Sequence, residues 1–126
     1  MYKYMRIQGR EDSYITKYPK GIFGMCWNMI RDKILTEEEE KLFISINDWF
    51  KENLPEPEQC KNHETVITFF KCDTTEYMLE KLKPAIELLD KHNRPYDVVY
   101  TNFVGEIVYE DEWQVAVKVT DGKMTI

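Results

Sequence analysis

Long apolar runs are absent from this chain of 126 residues. No stretch approaches the ~18–20 consecutive apolar residues that a membrane-spanning helix requires. The first residues, MYKYMRIQGREDS, also lack the apolar segment of a secretory signal peptide. The sequence therefore predicts a cytoplasmic protein with no membrane partner.

Cysteine and histidine are scarce, with three cysteines and two histidines in the whole chain. An odd cysteine count argues against a disulfide framework and favours a reducing compartment. Cys60 and His63 have a workable spacing for metal ligands, but Cys72 lies nine residues beyond His63 on a predicted strand. At about 3.3 Å per residue the last two would be roughly 30 Å apart. We therefore expect no metal site and no cofactor.

Signatures of common enzymes are also missing. The chain contains no G-x-G-x-x-G, no G-x-x-x-x-G-K-[ST] and no G-x-S-x-G, so an enzyme is not favoured. The net charge is -6, with seven basic and three acidic residues in 1–33 and an excess of acids in the remainder. Because phosphate repels such a chain at long range, general nucleic-acid binding is disfavoured.

What the sequence does contain is the patterning of one α+β domain over residues 1–126, with about three helices on a mixed sheet of four to six strands. Apolar spacing predicts helices over about 21–33 and over 37–53, the second started by a capping box of Thr36 and Glu39. A third helix is predicted to be capped by Asp73 or Thr74 and kinked or split at Pro84.

Strands are predicted from alternating or continuous apolar runs. They cover 2–8, 65–72, 96–103, 105–109, 113–120 and 123–126. The strand–helix–strand order across 65–103 predicts a right-handed crossover with parallel pairing. The strands over 107–126 predict an antiparallel meander.

Acidic residues give the leading functional hypothesis. The run TEEEE is explained first by the helix dipole, which favours acids in the first turn. An acidic stripe nevertheless continues along the polar side of this helix, formed by Glu37, Glu38, Asp48, Glu52 and Glu56. Such a stripe suits a non-enzymatic interaction protein, for example an inhibitor of the phage or mobile-element anti-defence type, an immunity protein or an antitoxin. It would occlude a basic surface of another protein.

A small-ligand or nucleotide-binding module, which could be an enzyme, is the alternative. Its cleft would lie at the sheet edge, lined by Tyr18, Lys20, Arg31, Asp97 and Asn102. A homodimer is a third hypothesis, because an uncovered final hairpin strand invites pairing with another chain.

Overall fold

Three helices pack on one face of an antiparallel sheet in the residues that the computed structural model describes, 2–12, 17–54, 66–120 and 123–124. The helices are α1 (Ile22–Arg31), α2 (Glu37–Asn53) and α3 (Cys72–Lys91). The strands are β1 (Tyr4–Asp12), β2 (Pro19–Gly21), β3 (Val66–Lys71), β4 (Tyr96–Thr101), β5 (Ile107–Glu110), β6 (Gln114–Thr120) and β7 (Lys123–Met124). The predicted α+β fold is confirmed. None of the helices in these ranges is long and apolar enough to cross a bilayer.

Helix α2 matches its prediction in both ends and in its capping box. The Thr36 hydroxyl oxygen accepts from the Glu39 backbone N–H at 3.2 Å, and Glu39 Oε1 accepts from the Thr36 N–H at 2.9 Å. Phe43, Ile46 and Phe50 form the buried side of the helix. Local capping and a three- and four-residue apolar repeat therefore suffice to define this element.

Helix α3 starts without either of its predicted caps, and of the two effects predicted for Pro84, a kink or a split, the split does not occur. It begins at Cys72, and neither Asp73 nor Thr74 caps it, because the Thr74 hydroxyl donates backward to the Lys71 carbonyl. Pro84 lies inside the helix without dividing it. Proline removes one backbone hydrogen bond. Burial of the apolar side of α3 offsets that loss, since Leu82, Ala85, Leu88 and Leu89 are all 5% exposed or less.

The parallel pairing predicted between β3 and β4 is wrong, because β1 lies between them. Strand β4 pairs antiparallel with β1 from Tyr4 to Gly9, and β3 pairs antiparallel with β1 at Tyr4 and Met5. The two outer strands therefore run parallel to each other but are not hydrogen-bonded to each other. All strand pairings in the described ranges are antiparallel, so the predicted mixed sheet is corrected in this respect. The C-terminal meander is confirmed, since β6 pairs with both β5 and β7.

The sheet is buried on both faces around β3 and β6. Its helix-facing side belongs to the larger core, which also contains Cys26, Phe43 and Leu82. A second core lies on the opposite face and consists of Ile67, Phe69, Val104, Val115, Val117 and Val119. Val104, from the segment that joins β4 to β5, covers this face, and none of the three described helices contributes a residue to this core.

A buried arginine bridges the point at which β2 and β3 separate along one side of β1. The Arg6 side chain donates to the Pro19 carbonyl at 2.9 Å and to the Thr68 carbonyl at 3.2 Å. It also donates to Gln8 Oε1 at 2.8 Å, and its guanidinium lies 5.5 Å from the centre of the Tyr18 ring. Burial lowers the pKa of Arg6 to about 10, so the group is still a cation at neutral pH.

Candidate functional site

The exposed side of α2 carries four acids, Glu37, Glu38, Asp48 and Glu52, which we call the acidic face. All four are exposed and point away from the buried side of the helix. At 1.5 Å of rise per residue the acidic face extends for about 22 Å. Lys41 lies within it and places its Nζ 3.6 Å from Glu37 Oε1. The fifth predicted acid, Glu56, lies outside the described residues.

Two apolar side chains are exposed beside the acidic face. Leu42 is 41% exposed and Ile44 is 40% exposed. Ile44 precedes Asp48 by one helical turn, and Leu42 follows Glu38 by one turn, so both adjoin the acids. Apolar side chains surrounded by charged ones are the arrangement found at protein–protein interfaces.

Glu39 belongs to the same acidic run, but its side chain has a structural role. Its carboxylate lies 3.1 Å from His92 Nε2 and 2.9 Å from Lys91 Nζ, which joins the start of α2 to the end of α3. The backbone hydrogen bond from Thr36 and the side-chain hydrogen bonds from Lys91 and His92 lower the pKa of Glu39 to about 2, against the opposing effect of burial. Glu39 therefore links α2 to α3 and is not part of the acidic face.

A cleft lies where the C-terminal ends of α1 and α3 meet β1 and β2. Its volume is about 180 Å³. The charged residues that line it are Arg10, Glu11, Lys20, Arg31, Asp32 and Arg94. Met25, Met29 and Ile34 supply its apolar wall. The Met25 side chain packs over the bare backbone of Gly9, where a Cβ would lie 2.9 Å from Met25 Sδ.

Both helices end at the cleft in the same way. In α1 the Ile34 N–H bonds to the Met29 carbonyl at 2.9 Å while Lys33 has a positive φ of 58°. In α3 the Arg94 N–H bonds to the Leu89 carbonyl at 2.9 Å while Asn93 has a φ of 55°. These are Schellman motifs, in which a left-handed residue reverses the chain after the last turn.

The lining charges of the cleft are only partly paired. Arg31 Nε lies 3.0 Å from Asp32 Oδ1, and Arg10 Nη2 lies 3.3 Å from Asp97 Oδ1. The hydrogen bond from Arg31, with smaller contributions from Arg94 and Lys20, lowers the pKa of Asp32 despite the cost of desolvation. Lys20 and Arg94 form no ion pair with any described residue. The Nε of Arg94 is shielded from solvent and has no acceptor among the residues that the structure describes.

The residues predicted for a ligand cleft are brought together only in part. Lys20 and Arg31 line the cleft, and Asp97 borders it through its ion pair with Arg10. Tyr18 packs against the second core, and Asn102 lies beyond the other end of β4, where its Oδ1 accepts from the Lys3 N–H at 3.0 Å. Sequence reasoning missed Arg10 and Arg94. The helix-ending run His-Asn-Arg-Pro is the one local signal that could have placed Arg94 at an edge of the fold.

Neither described cysteine has the surroundings of a reactive thiol. Cys26 is fully buried, and burial raises its pKa to about 12. Burial and the charge of Asp73 raise the pKa of Cys72 as well. No group of three or more His, Cys, Asp or Glu in the described ranges could hold a metal. Cys60 and His63 lie outside those ranges.

Strand β4 presents exposed apolar side chains at an edge of the sheet. It pairs only with β1 among the described strands. Val98 is 44% exposed and Tyr100 is 48% exposed, and the Tyr100 ring lies 5.9 Å from the Tyr2 ring. This edge also fits the homodimer hypothesis, which the sequence placed on the final hairpin strand.

Comparison of the chain with protein-family models, with curated proteins and with solved structures finds no match.

Proposed function

We propose that the protein is a non-enzymatic interaction protein that binds a basic surface of another protein through the acidic face of α2. The observation that carries this proposal is that Glu37, Glu38, Asp48 and Glu52 are all exposed on one side of a well-capped helix. A rigid helix holds the four carboxylates in a fixed row. Such a row gives charge complementarity to a partner with a matching row of lysine or arginine side chains.

The acids and the exposed apolar residues have different tasks in this proposal. Carboxylates at the rim attract a basic partner over distances of about one Debye length and raise the association rate. Ile44 and Leu42 supply apolar area that becomes buried on contact. Buried apolar contacts slow dissociation, because hot spots lie in the desolvated centre of an interface.

The expected class of partner follows from the same charges. Basic protein surfaces commonly serve to bind nucleic acid, and an acidic helix laid across one would exclude its normal ligand by competition. This is the action of an inhibitor of the anti-defence, immunity or antitoxin type. The odd cysteine count supports a cytoplasmic location for this activity.

The proposal is tested by reversing charge on the acidic face. The partner is first identified by cross-linking in the cells that make the protein and is then purified. Binding of that partner is compared for the full chain and for the double variant Asp48→Lys/Glu52→Lys. We expect affinity to fall by about a hundredfold, because like charges would then face each other across the contact.

The matched control is Glu76→Lys/Glu80→Lys. These acids are also exposed and four residues apart, but they lie on α3. The affinity of this control variant for the partner should stay within about threefold of the wild-type affinity. Its association rate should fall with added salt as the wild-type rate does. Equal losses in the two variants, or no loss in the first, would contradict the proposal.

A further inference from the structure

The helix dipole explains the position of only some of the cations that line the cleft. Helix C-termini carry partial negative charge, so cations near them are stabilised. Arg31 in the last turn of α1 and Arg94 just beyond α3 fit this account. Lys20, on β2, does not, because it follows no helix. The helix dipole also leaves unexplained the shielded Nε of Arg94, which has no acceptor in the described part of the chain.

A shielded N–H without an acceptor is costly, because it has lost its hydrogen bond to water and gained none in return. Arg94 lines the cleft, and a ligand there would accept from its Nε once the side chain turns to uncover that atom. An oxygen acceptor carrying negative charge would satisfy the Nε and the positive charge together.

Counting the charged lining residues sets the charge of the ligand. Four cations and two acids line the cleft, an excess of two positive charges, which falls to one while Asp97 at its border stays paired with Arg10. Arg10 and Arg31 are paired with Asp97 and Asp32, but every side chain in these pairs is at least half exposed. Exposed ion pairs are weak and can be exchanged for contacts with a ligand. A phosphate monoester, which is close to a dianion at neutral pH, matches this excess better than a single carboxylate.

The size of the cleft limits the rest of the ligand. Its volume of about 180 Å³ is below the ~300–1,000 Å³ of sites that enclose a drug-sized molecule. The apolar wall of Met25, Met29 and Ile34 suits a short carbon skeleton attached to the phosphate. A nucleotide would have to leave its base outside.

We propose that this cleft is a binding site for a small phosphorylated metabolite, held by Arg94 and Lys20 with Arg10 and Arg31 turning inward. The arginine forks suit two phosphate oxygens at once, and Lys20 contributes a point charge. Glu11 lines the same cleft and opposes a bare phosphate, so it would face a hydroxyl or amino group of the ligand. The site is on a different part of the molecule from the acidic face of α2.

The test uses inorganic phosphate as the probe and the full chain as the protein. Binding is followed by NMR of the arginine Nε–Hε signals at constant ionic strength, up to about 10 mM, which would saturate a millimolar site. We expect the Arg94 signal to shift with a saturating curve. Acetate at the same ionic strength should bind at least about tenfold more weakly, because a monoanion satisfies fewer donors.

Four variants separate a built site from general attraction of anions. Arg94→Lys keeps the charge but loses the Nε–H and should weaken phosphate binding about tenfold. Lys20→Gln should weaken it to a similar extent, and it tests the site independently if Arg94→Lys folds poorly. Glu11→Gln should tighten binding, because it removes a like charge. Lys83→Gln, an exposed cation on α3 outside the cleft, is the control and should stay within about twofold.

Several outcomes would overturn the assignment. One is an Arg94 signal that does not respond to phosphate at about 10 mM. Another is equal weakening by Lys20→Gln and Lys83→Gln, which would mean that net charge alone attracts the anion. Equal affinity for acetate and phosphate would overturn the phosphate class. Failure of these tests would leave the proposed protein interaction untouched, because no variant here changes the acidic face.

Discussion

Arg6 and Arg94 have different roles because their side chains have different surroundings. Arg6 is 8% exposed and donates to two main-chain carbonyls and one side-chain oxygen, all uncharged. Arg94 places its Nε out of contact with both solvent and any described acceptor. The first arginine is therefore a structural connection between strands, while the second has bonding capacity left for a ligand.

Replacing Arg6 by methionine tests the structural role. Arg6→Met would leave the carbonyls of Pro19 and Thr68 without their donor, and it would remove the connection between β2 and β3. We expect a loss of about 2 kcal/mol in the free energy of unfolding, measured by urea denaturation. Part of the lost bonding is offset because a buried cation no longer has to be desolvated.

Arg10→Met is the control for this substitution. Arg10 lies on the same strand, but its ion pair with Asp97 is mostly exposed. Its loss should change the free energy of unfolding by less than about 0.5 kcal/mol. If Arg6→Met were as stable as Arg10→Met, the cost of burying the Arg6 cation would cancel its hydrogen bonds, and the stabilising role would be refuted.

At the scale of elements, the ends of α1 and α3 are the informative parts. Each ends in a Schellman motif, yet neither has glycine at the left-handed position. Lysine and asparagine occupy these positions instead, as Lys33 and Asn93. A side chain with a Cβ is strained in this conformation by about 1–2 kcal/mol, and asparagine less so. The sequence thus gives no glycine signal for either helix end.

Glycine at position 33 should therefore stabilise the protein. For Lys33→Gly we expect a gain of about 0.5–1 kcal/mol, since the relief of strain exceeds the added entropy of the unfolded chain. Asn93→Gly should gain less. Lys33→Ala keeps the Cβ and serves as the control, which should show no such gain. The measurement is the midpoint of thermal and urea unfolding, and a loss of stability in Lys33→Gly would contradict the assigned motif.

At the scale of the whole molecule, Glu39 joins the start of α2 to the end of α3. Its pKa is lowered from 4.5 to about 2 in the folded protein. A carboxyl with a lowered folded pKa adds stability that is fully present above its unfolded pKa. That contribution is lost as the pH falls from about 4.5 toward 2. Acid should therefore weaken the docking of these two helices before it affects the apolar cores.

Glu39→Gln makes this dependence measurable. The glutamine keeps an oxygen that can accept from the Thr36 N–H but has no charge for Lys91 and His92. We expect the variant to be less stable than the wild type at neutral pH, with the difference shrinking as the pH falls from about 4.5 to 2. Glu38→Gln, in the same first turn but exposed, is the control. If the difference in stability between Glu39→Gln and the wild type stayed constant over this pH range, the link between α2 and α3 would not depend on an ionised Glu39.

The sequence predicts the bounds of α2 better than those of α3. The bounds of α2 and its capping box were predictable because capping groups and apolar spacing act within a few residues. The start of α3 was not predictable, because β3 passes directly into α3 within the run Phe-Phe-Lys-Cys and no side chain caps the helix. The continuity of α3 through Pro84 depended on tertiary burial of its apolar side, which outweighs one missing hydrogen bond.

The candidate sites divide in the same way. The acidic face could be identified from the sequence, since residues on one side of a helix follow from its period. The cleft could be identified only in part, with Lys20 and Arg31 predicted and Arg10 and Arg94 missed. Two of these four residues lie on different strands and the other two at the ends of two helices, so no sequence spacing joins them.

The sequence by itself determined the α+β class, the position of α2 and the C-terminal meander, because these depend on contacts between residues close in the chain. Only the tertiary structure decided that β1 inserts between β3 and β4, and that Arg94 comes to share a cleft with Lys20. The physical reason is that strand order and the meeting of helix ends depend on burying apolar surface between distant segments. A period of two or 3.6 residues shows which side is buried but not which segment covers it.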